Sequence, residues 1–230
     1  MSNEIKFVGL HAHSVFSVFD GLGFPNEHID YAVENGMDAL ALTDHGNMNG
    51  LSYQVLHSKK LQKEGKNFKP IYGIEGYFID SITKWREEKA EIDKNKKGRK
   101  KEENSAVVIE DEIATKRQEK NILNRRAHLV LLVQNQTGLN NLFTLVSKSF
   151  DPDNFYRYPR IDYDMLREHN EGIIVSSACM GGPLSKDYWN NRENGDETVQ
   201  RAMVETIKNF TSIFGDRFYG ELQWNSIPEQ

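Results

Sequence analysis

The sequence predicts an α/β fold with a largely parallel sheet, open or closed into a barrel. Three observations carry this. Apolar runs of strand length alternate with helix-like stretches along most of the chain, glycines stand where helices should stop, and 230 residues suffice for one domain with a sizeable core. Residues 5–10 (IKFVGL) read as the first strand. Residues 26–35 form a helix with Ile29, Ala32 and Val33 on one face and Gly36 as its stop. Residues 38–43 (DALALT) form a buried strand, 51–64 a helix ending at Gly65, and 70–79 a third strand. After an interruption the alternation resumes with a strand at 127–133, a helix at 139–149, a strand at 172–177, a helix at 197–214 and a strand at 217–223.

The interruption, residues 82–126, contains the run EIDKNKKGRKKEEN and is expected to be a charged insertion, solvated or partly disordered. Lys94 to Lys101 places six cations in eight residues, so a weak phosphate-contacting arm is the alternative to a plain surface insertion. The chain carries a net charge of −5, unevenly spread. Residues 84–126 hold 14 Lys/Arg against 10 Asp/Glu, and the rest 15 against 24. The acidic remainder is either a solvated surface or carboxylate chemistry awaiting cations. No apolar run approaches the ~18 residues of a membrane span and no leader pattern opens the chain, so the expectation is a soluble, cytoplasmic protein without a membrane partner. One cysteine, Cys179, excludes an internal disulfide and suits a reducing compartment.

Histidines mark the candidate site. In an extended strand, residues i and i+2 point to one face, so His11 and His13 of "LHAH" project together. The second strand ends at Asp44 and His45, and the third carries Glu75, a carboxylate costly to bury unpaired. The fourth opens with His128, the fifth ends at Cys179, and Asp20 follows the first strand after an aromatic-rich turn. His28, His57 and His169 fall on helical stretches and are read as surface or packing residues. Parallel α/β folds gather ligands at the carboxyl ends of strands, and five successive strands bring a His, Cys or carboxylate near that region. The pattern points to a multinuclear metal site, of the kind that clamps a phosphate ester for hydrolysis. Mixed donors leave Zn, Mn, Mg and Fe all open. No phosphate-cradling glycine loop is present. A cysteine–histidine nucleophile, Cys179 with His11 or His128, is the competing chemistry, but it leaves the other ligand-type residues without a role.

The phrases "HAHS…FDG", "ALTDHGNMNG", "PIYGIEGYF", "AHLVLLVQNQTGLNNLFTLVS", "YPRIDYDMLREHNEGIIVSSACMGG" and "RFYGELQ" closely resemble the PHP (polymerase and histidinol phosphatase) domain, in the branch at the N-terminus of bacterial DNA polymerase III alpha subunits. The likeness covers nearly the whole chain except 82–126. It implies a distorted (β/α)7 barrel over residues 1–230, incomplete at its C-terminal end, with up to three divalent metals at one face. Family ligands map onto His11, His13, Asp20, His45, Glu75, His128 and Cys179, with Asp44 expected to support a ligand imidazole as well as being a candidate ligand. The family pattern continues with an Asp-x-His-type motif that supplies two last ligands, expected beyond "QWNSIPEQ". The implied activity is metal-dependent phosphodiester hydrolysis of the 3′–5′ proofreading type. Its implied partners are DNA, the rest of the alpha subunit and other replisome subunits. The alternative within the family is a catalytically inactive scaffold that stabilises the polymerase. A stand-alone phosphatase of small phosphomonoesters is the third reading, disfavoured by the polymerase-type phrases in 160–182.

Overall fold

The computed structural model describes residues 7–102 and 109–224, with side chains for all of these except 98–102 and 109–112. Residues 5 and 6 of the first predicted strand, and 103 and 104 of the charged run, lie outside the described residues. Strands β1 (Ala39–Leu42), β2 (Lys69–Phe78), β3 (Ala127–Val133), β4 (Phe155–Tyr156), β5 (Tyr158–Ile161), β6 (Ile173–Ser176) and β7 (Phe218–Tyr219) join in one sheet. Its order is β4-β5-β2-β3-β6-β7, with β1 also paired to β2. β3 occupies one edge of β2 over residues 73–78, and the other edge takes β1 at residues 69–72 and β5 at residues 77–78.

The sheet is mixed, and the correction to a largely parallel one has a specific cause. β1, β2, β5, β6 and β7 run the same way, but β3 is antiparallel to both β2 and β6. A single crossover helix would return the chain for a parallel strand. Two helices intervene instead, α3 (Ile82–Glu102) and α4 (Ile109–Leu123). Trp85 near the start of α3 donates its indole N–H to the Ile122 carbonyl at the end of α4, so the pair forms a hairpin that delivers the chain back to the end of β2 it left. Within the 82–126 segment the described residues are helical over Ile82–Glu102 and Ile109–Leu123. Ile82, Trp85, Ile92 and Leu123 are buried, and their burial outweighs the surrounding charge.

The outer face of β2 and β3 packs Ile74, Phe78, Leu129 and Leu131 against Leu142 and Leu145 of α5 (Gln136–Ser149), Leu166 of α6 (Tyr163–Glu168), and Phe210 and Phe214 of α8 (Asp196–Phe214). Helix α5 starts three residues before the predicted position because the Asn135 side chain caps it, accepting from the Gly138 N–H. The six-residue α6, capped by Asp162, and α7 (Pro183–Asn191) had no counterpart in the sequence reading. A second cluster sets Leu40 and Leu42 against Ile29 and Ala32 of α1 (Pro25–Glu34) and Leu61 of α2 (Leu51–Lys63). By the two-residue alternation of a strand, the inner face carries Ala41, Val130 and Leu132, buried together with Ala178. The sheet curls so that its ends approach. Gly9 bridges to Leu40 beside β1, while Glu221, just past β7, reaches His11.

Candidate metal centre

Glu75 sits in the middle of β2, 1% exposed, on the inner face next to Val130. Four imidazole nitrogens surround its two oxygens. His11 Nε2 and His128 Nδ1 lie 3.4 Å and 2.8 Å from Oε1, and His13 Nε2 and His45 Nδ1 lie 3.1 Å and 2.9 Å from Oε2. Each arrives by a local rule. His11 and His13 alternate with Ala12, which packs on the α1–α2 side of β1, and the backbones of Ala12 and Thr43 are hydrogen-bonded. His45 lies just past β1, where an isolated bridge pairs it with Glu75. His128 is the second residue of β3, and only because β3 is antiparallel does its start lie where the parallel strands end.

The remaining predicted residues take different places. Asp20 is half-exposed at the rim, its Oδ2 2.8 Å from His45 Nε2 and 4.0 Å from His13 Nε2. It rides on a loop closed by the Val15 N–H donating to the Gly23 carbonyl, in which a Cβ on Gly21 would stand 2.0 Å from the Ser14 carbonyl oxygen. Cys179 Sγ is 3.6 Å from His128 Nδ1 and 3.7 Å from Glu75 Oε1. Asp44 is directed away from Glu75, as its position next to His45 in extended chain requires. Its carboxylate accepts from the Ser14 N–H and from the Ser14 and Ser17 hydroxyls, all at 2.7 Å. Ser17 Oγ in turn meets His13 Nδ1 at 2.9 Å, so Asp44 acts on the cluster through that hydroxyl. His57 pairs with Asp30, His28 with the Leu22 carbonyl, and His169 with Lys148 and Glu168.

Glu221 escaped the sequence reading. Its Oε1 is 2.6 Å from His11 Nδ1, and its other oxygen accepts from the Ser176 hydroxyl. It falls inside the predicted strand at 217–223, where nothing local sets it apart from a solvated acid. Ser14 and Ser17 carried no signal of their own.

The donor set fits divalent cations. Three groups, His11–His13–Glu75, His13–Asp20–His45 and His45–Glu75–His128, each offer ligand atoms within 4.8 Å of one another. His45 Nδ1, although 2.9 Å from Glu75, lacks the alignment of a hydrogen bond and has no such partner among the described residues. A buried ring nitrogen of that kind suits a cation.

Electrostatics without metal follow from the same contacts. Burial alone would depress His11, but the Glu221 and Glu75 carboxylates outweigh it and lift its pKa from 6.5 to about 9. His45 is raised likewise, against burial, by Glu75 and Asp20. Burial would raise Glu75, but the imidazoles of His11, His128, His13 and His45 gathered around it hold it well below the usual carboxylate range. Burial pushes the Cys179 thiol up, which disfavours a thiolate nucleophile. The sign for stability follows. Raised histidines contribute fully below 6.5 and lose that contribution as pH climbs through about 9, while depressed carboxylates contribute above their ordinary range. Melting of chelator-treated protein is therefore expected to weaken steadily from pH 6.5 to 9. Stabilisation by added Mn²⁺ or Zn²⁺ should grow over the same interval, because ligands must shed protons to bind. A metal-free melting temperature that is flat or rising across that window would contradict this assignment.

Among the described residues, no helix is long and apolar enough to cross a membrane. The profile described as "PHP domain" matches residues 9–225. The chain is 36% identical over 225 residues to the DNA polymerase III subunit alpha of Aquifex aeolicus (strain VF5), covering 97% of this chain and 16% of that protein. It is 33% identical over 230 residues to the subunit of the same name from Borreliella burgdorferi, covering 100% of this chain and again 16% of that protein. The chain thus spans 16% of the length of these relatives. Among solved structures, it is similar to a protein from Bifidobacterium adolescentis described as a metal-dependent phosphoesterase. That likeness has 14% identity and a TM-score of 0.40, with 96% of this chain and 88% of that one covered.

Proposed function

The chain belongs to the PHP domain family, and from that premise we propose that it is the phosphodiester-hydrolysing module of a bacterial DNA polymerase III alpha subunit, a metal-dependent 3′–5′ exonuclease that proofreads DNA. The observation that supports this most is the convergence of four imidazoles, Asp20 and Cys179 around one buried carboxylate. The domain would span 1–230 with 82–126 as an insertion, and would work in the cytoplasm joined to the remainder of the subunit and its replisome partners.

His11, His13 and Glu75 would hold one divalent ion, His13, Asp20 and His45 a second, and His45, Glu75 and His128 a third with Cys179 beside it. The imidazole-rich set with a thiol nearby favours Zn, Mn or Fe over Mg. Ions bound there supply Lewis acidity toward a phosphoryl oxygen and activation of water. The chain's own residues do the rest. Asp44 and Ser17 orient His13, Glu221 orients His11, and Asp20 stands half-exposed where a substrate would enter. Ala41, Val130, Leu132 and Ala178 form a buried apolar layer on the same inner face as Glu75, which limits water beside it.

The expected result is release of nucleotides from a 3′-labelled primer in Mn²⁺ or Zn²⁺, by this chain or by the longer polymerase chain that would contain it. His13→Ala should abolish the release. A primer left intact by both preparations would sink the exonuclease reading. One observation favours the scaffold alternative: His11 and His45 already balance the charge of Glu75 without any ion. Elemental analysis separates the two. Two or more metals per chain support the hydrolase, and a metal-free protein indifferent to chelator supports the scaffold.

A further inference from the structure

The loop that brings Asp20 to the cluster carries an exposed apolar tip that the proposed hydrolysis leaves unused. Phe19 is fully exposed, and Val18 and Leu22 are 72% and 85% exposed. Scattered apolar residues at a surface are ordinary, whereas these three fall within five positions of one loop. Phe19 also holds a backbone φ of 70°, in the left-handed region that a bulky side chain enters only with strain. Burial of the ring does not offset that strain, because the ring stands in water.

The foot of the loop is firmly anchored. The Phe16 ring packs against those of Phe24 and Tyr53, with centres 6.4 Å and 5.6 Å apart. The Asp20 and Gly21 N–H groups donate to the Ser17 carbonyl at 3.0 Å and 2.9 Å, and the Ser17 hydroxyl donates to Asp44 at 2.7 Å. Asp20 Oδ2 then lies 2.8 Å from His45 Nε2 and 4.0 Å from His13 Nε2. Phe19 is thus one residue, about 3.8 Å of chain, from a side chain that touches the cluster. A group presented to ions held by Asp20 and His45 meets this tip as its immediate neighbour.

Composition says which part of a nucleotide the tip can hold. Residues 14–24 contain no lysine or arginine, and their one charged side chain is Asp20, an acid. Such a tip has no attraction for phosphate and offers apolar ring surface instead. The flat, uncharged part of a nucleotide is its base, and a base stacks on an aromatic side chain whatever its identity.

We propose that Phe19 is a stacking platform for the base of the unpaired nucleotide whose phosphodiester is presented to the cluster, with Val18 and Leu22 flanking it. That this nucleotide stands at a 3′ end awaiting removal rests on the exonuclease reading. Phe19 is then a positioning residue that holds the strand end while the residues around Glu75 act on the phosphate.

The test measures, in Mn²⁺, binding of an oligothymidylate whose last linkage is a phosphorothioate that resists hydrolysis. The comparison is the same strand with an abasic last residue. Wild type is expected to bind the base-bearing strand about tenfold more tightly, the worth of one base–aromatic stack. Phe19→Ala should erase that preference, Phe19→Trp should keep it, and Phe19→Leu, apolar but not flat, should lose most of it. Phe19→Gly should erase it without lowering the denaturation midpoint, since glycine accepts the left-handed backbone; loss of folding then cannot be the cause. Wild type that does not bind the strand, or shows no preference for the base, would overturn the platform. So would Phe19→Ala that retains the preference, the result expected if the tip instead docks onto protein. On a 3′-labelled primer Phe19→Ala should raise KM about tenfold and leave kcat nearly unchanged. A base preference carried by Phe19 with no primer degraded sinks the exonuclease reading and keeps the platform. Degradation with wild-type KM in Phe19→Ala keeps the exonuclease and removes the platform.

Discussion

Replacing Glu75 with glutamine is expected to strip the protein of bound metal and to destabilise the metal-free fold by about 3–5 kcal/mol, the usual cost of removing one partner from a buried ionic cluster. The effect is large because one carboxylate serves four imidazoles at 2.8–3.4 Å and is 1% exposed. Glutamine keeps the shape but removes the charge, so His11 and His45 lose the partner they share and give up their protons more readily as pH rises. The pH dependence of the metal-free melt should flatten in the same variant, since only Glu221 and Asp20 would then hold those rings. Urea unfolding in chelator and elemental analysis read out the two losses. A variant that kept wild-type metal content and stability would show that Glu75 is not the hub.

Arg160→Met is expected to cost about 4 kcal/mol or more, because it orphans several buried carbonyls at about 1–3 kcal/mol each. Arg160 is fully buried and donates to the carbonyls of Leu123, Arg125, Tyr156 and Tyr158 at 2.6, 3.2, 3.0 and 3.0 Å. Its guanidinium also stacks 4.2 Å over Trp85. Burial lowers its pKa only to about 10, so it stays charged and bound to carbonyl dipoles rather than to a carboxylate. One side chain therefore ties the end of α4 and the β4–β5 turn to the start of α3. Arg160→Lys should rescue little, since an ammonium cannot span four acceptors with fork geometry. A denaturation midpoint in Arg160→Met close to wild type would refute this account.

The sequence was readable where one element suffices to state the geometry. His11 and His13 needed only the two-residue period of extended chain, and the strand at Ala127–Val133 stood out as an unbroken apolar run. It was silent where geometry depends on a return path. Whether His128 meets the others turns on the direction of β3, which the α3–α4 hairpin sets. That hairpin was hidden because its buried positions, Ile82, Trp85, Ile92 and Leu123, are sparse among lysines and glutamates. Asp44 and His45 differ only in which side of the chain they leave, and three hydroxyl and amide donors decide that Asp44 belongs to the loop. Glu221 lay inside a recognised phrase, yet nothing local distinguishes it from a solvated acid.

The contact between His11 and Glu221 joins positions 210 residues apart. Closing so long a span costs chain entropy that no nearby contact returns, so contacts of this kind form late in folding. That contact joins the segment before α1 to the segment after β7, and it exists only once everything between them is in place. A chain folded only as far as β2 offers His11, His13, His45 and Glu75 without His128 or the Glu221 that orients His11, a poorer match for divalent ions. Ion uptake followed in real time should lag behind the burial of Trp85 and arrive with the docking of β7. Occupancy then serves as a stopwatch for the final step of folding.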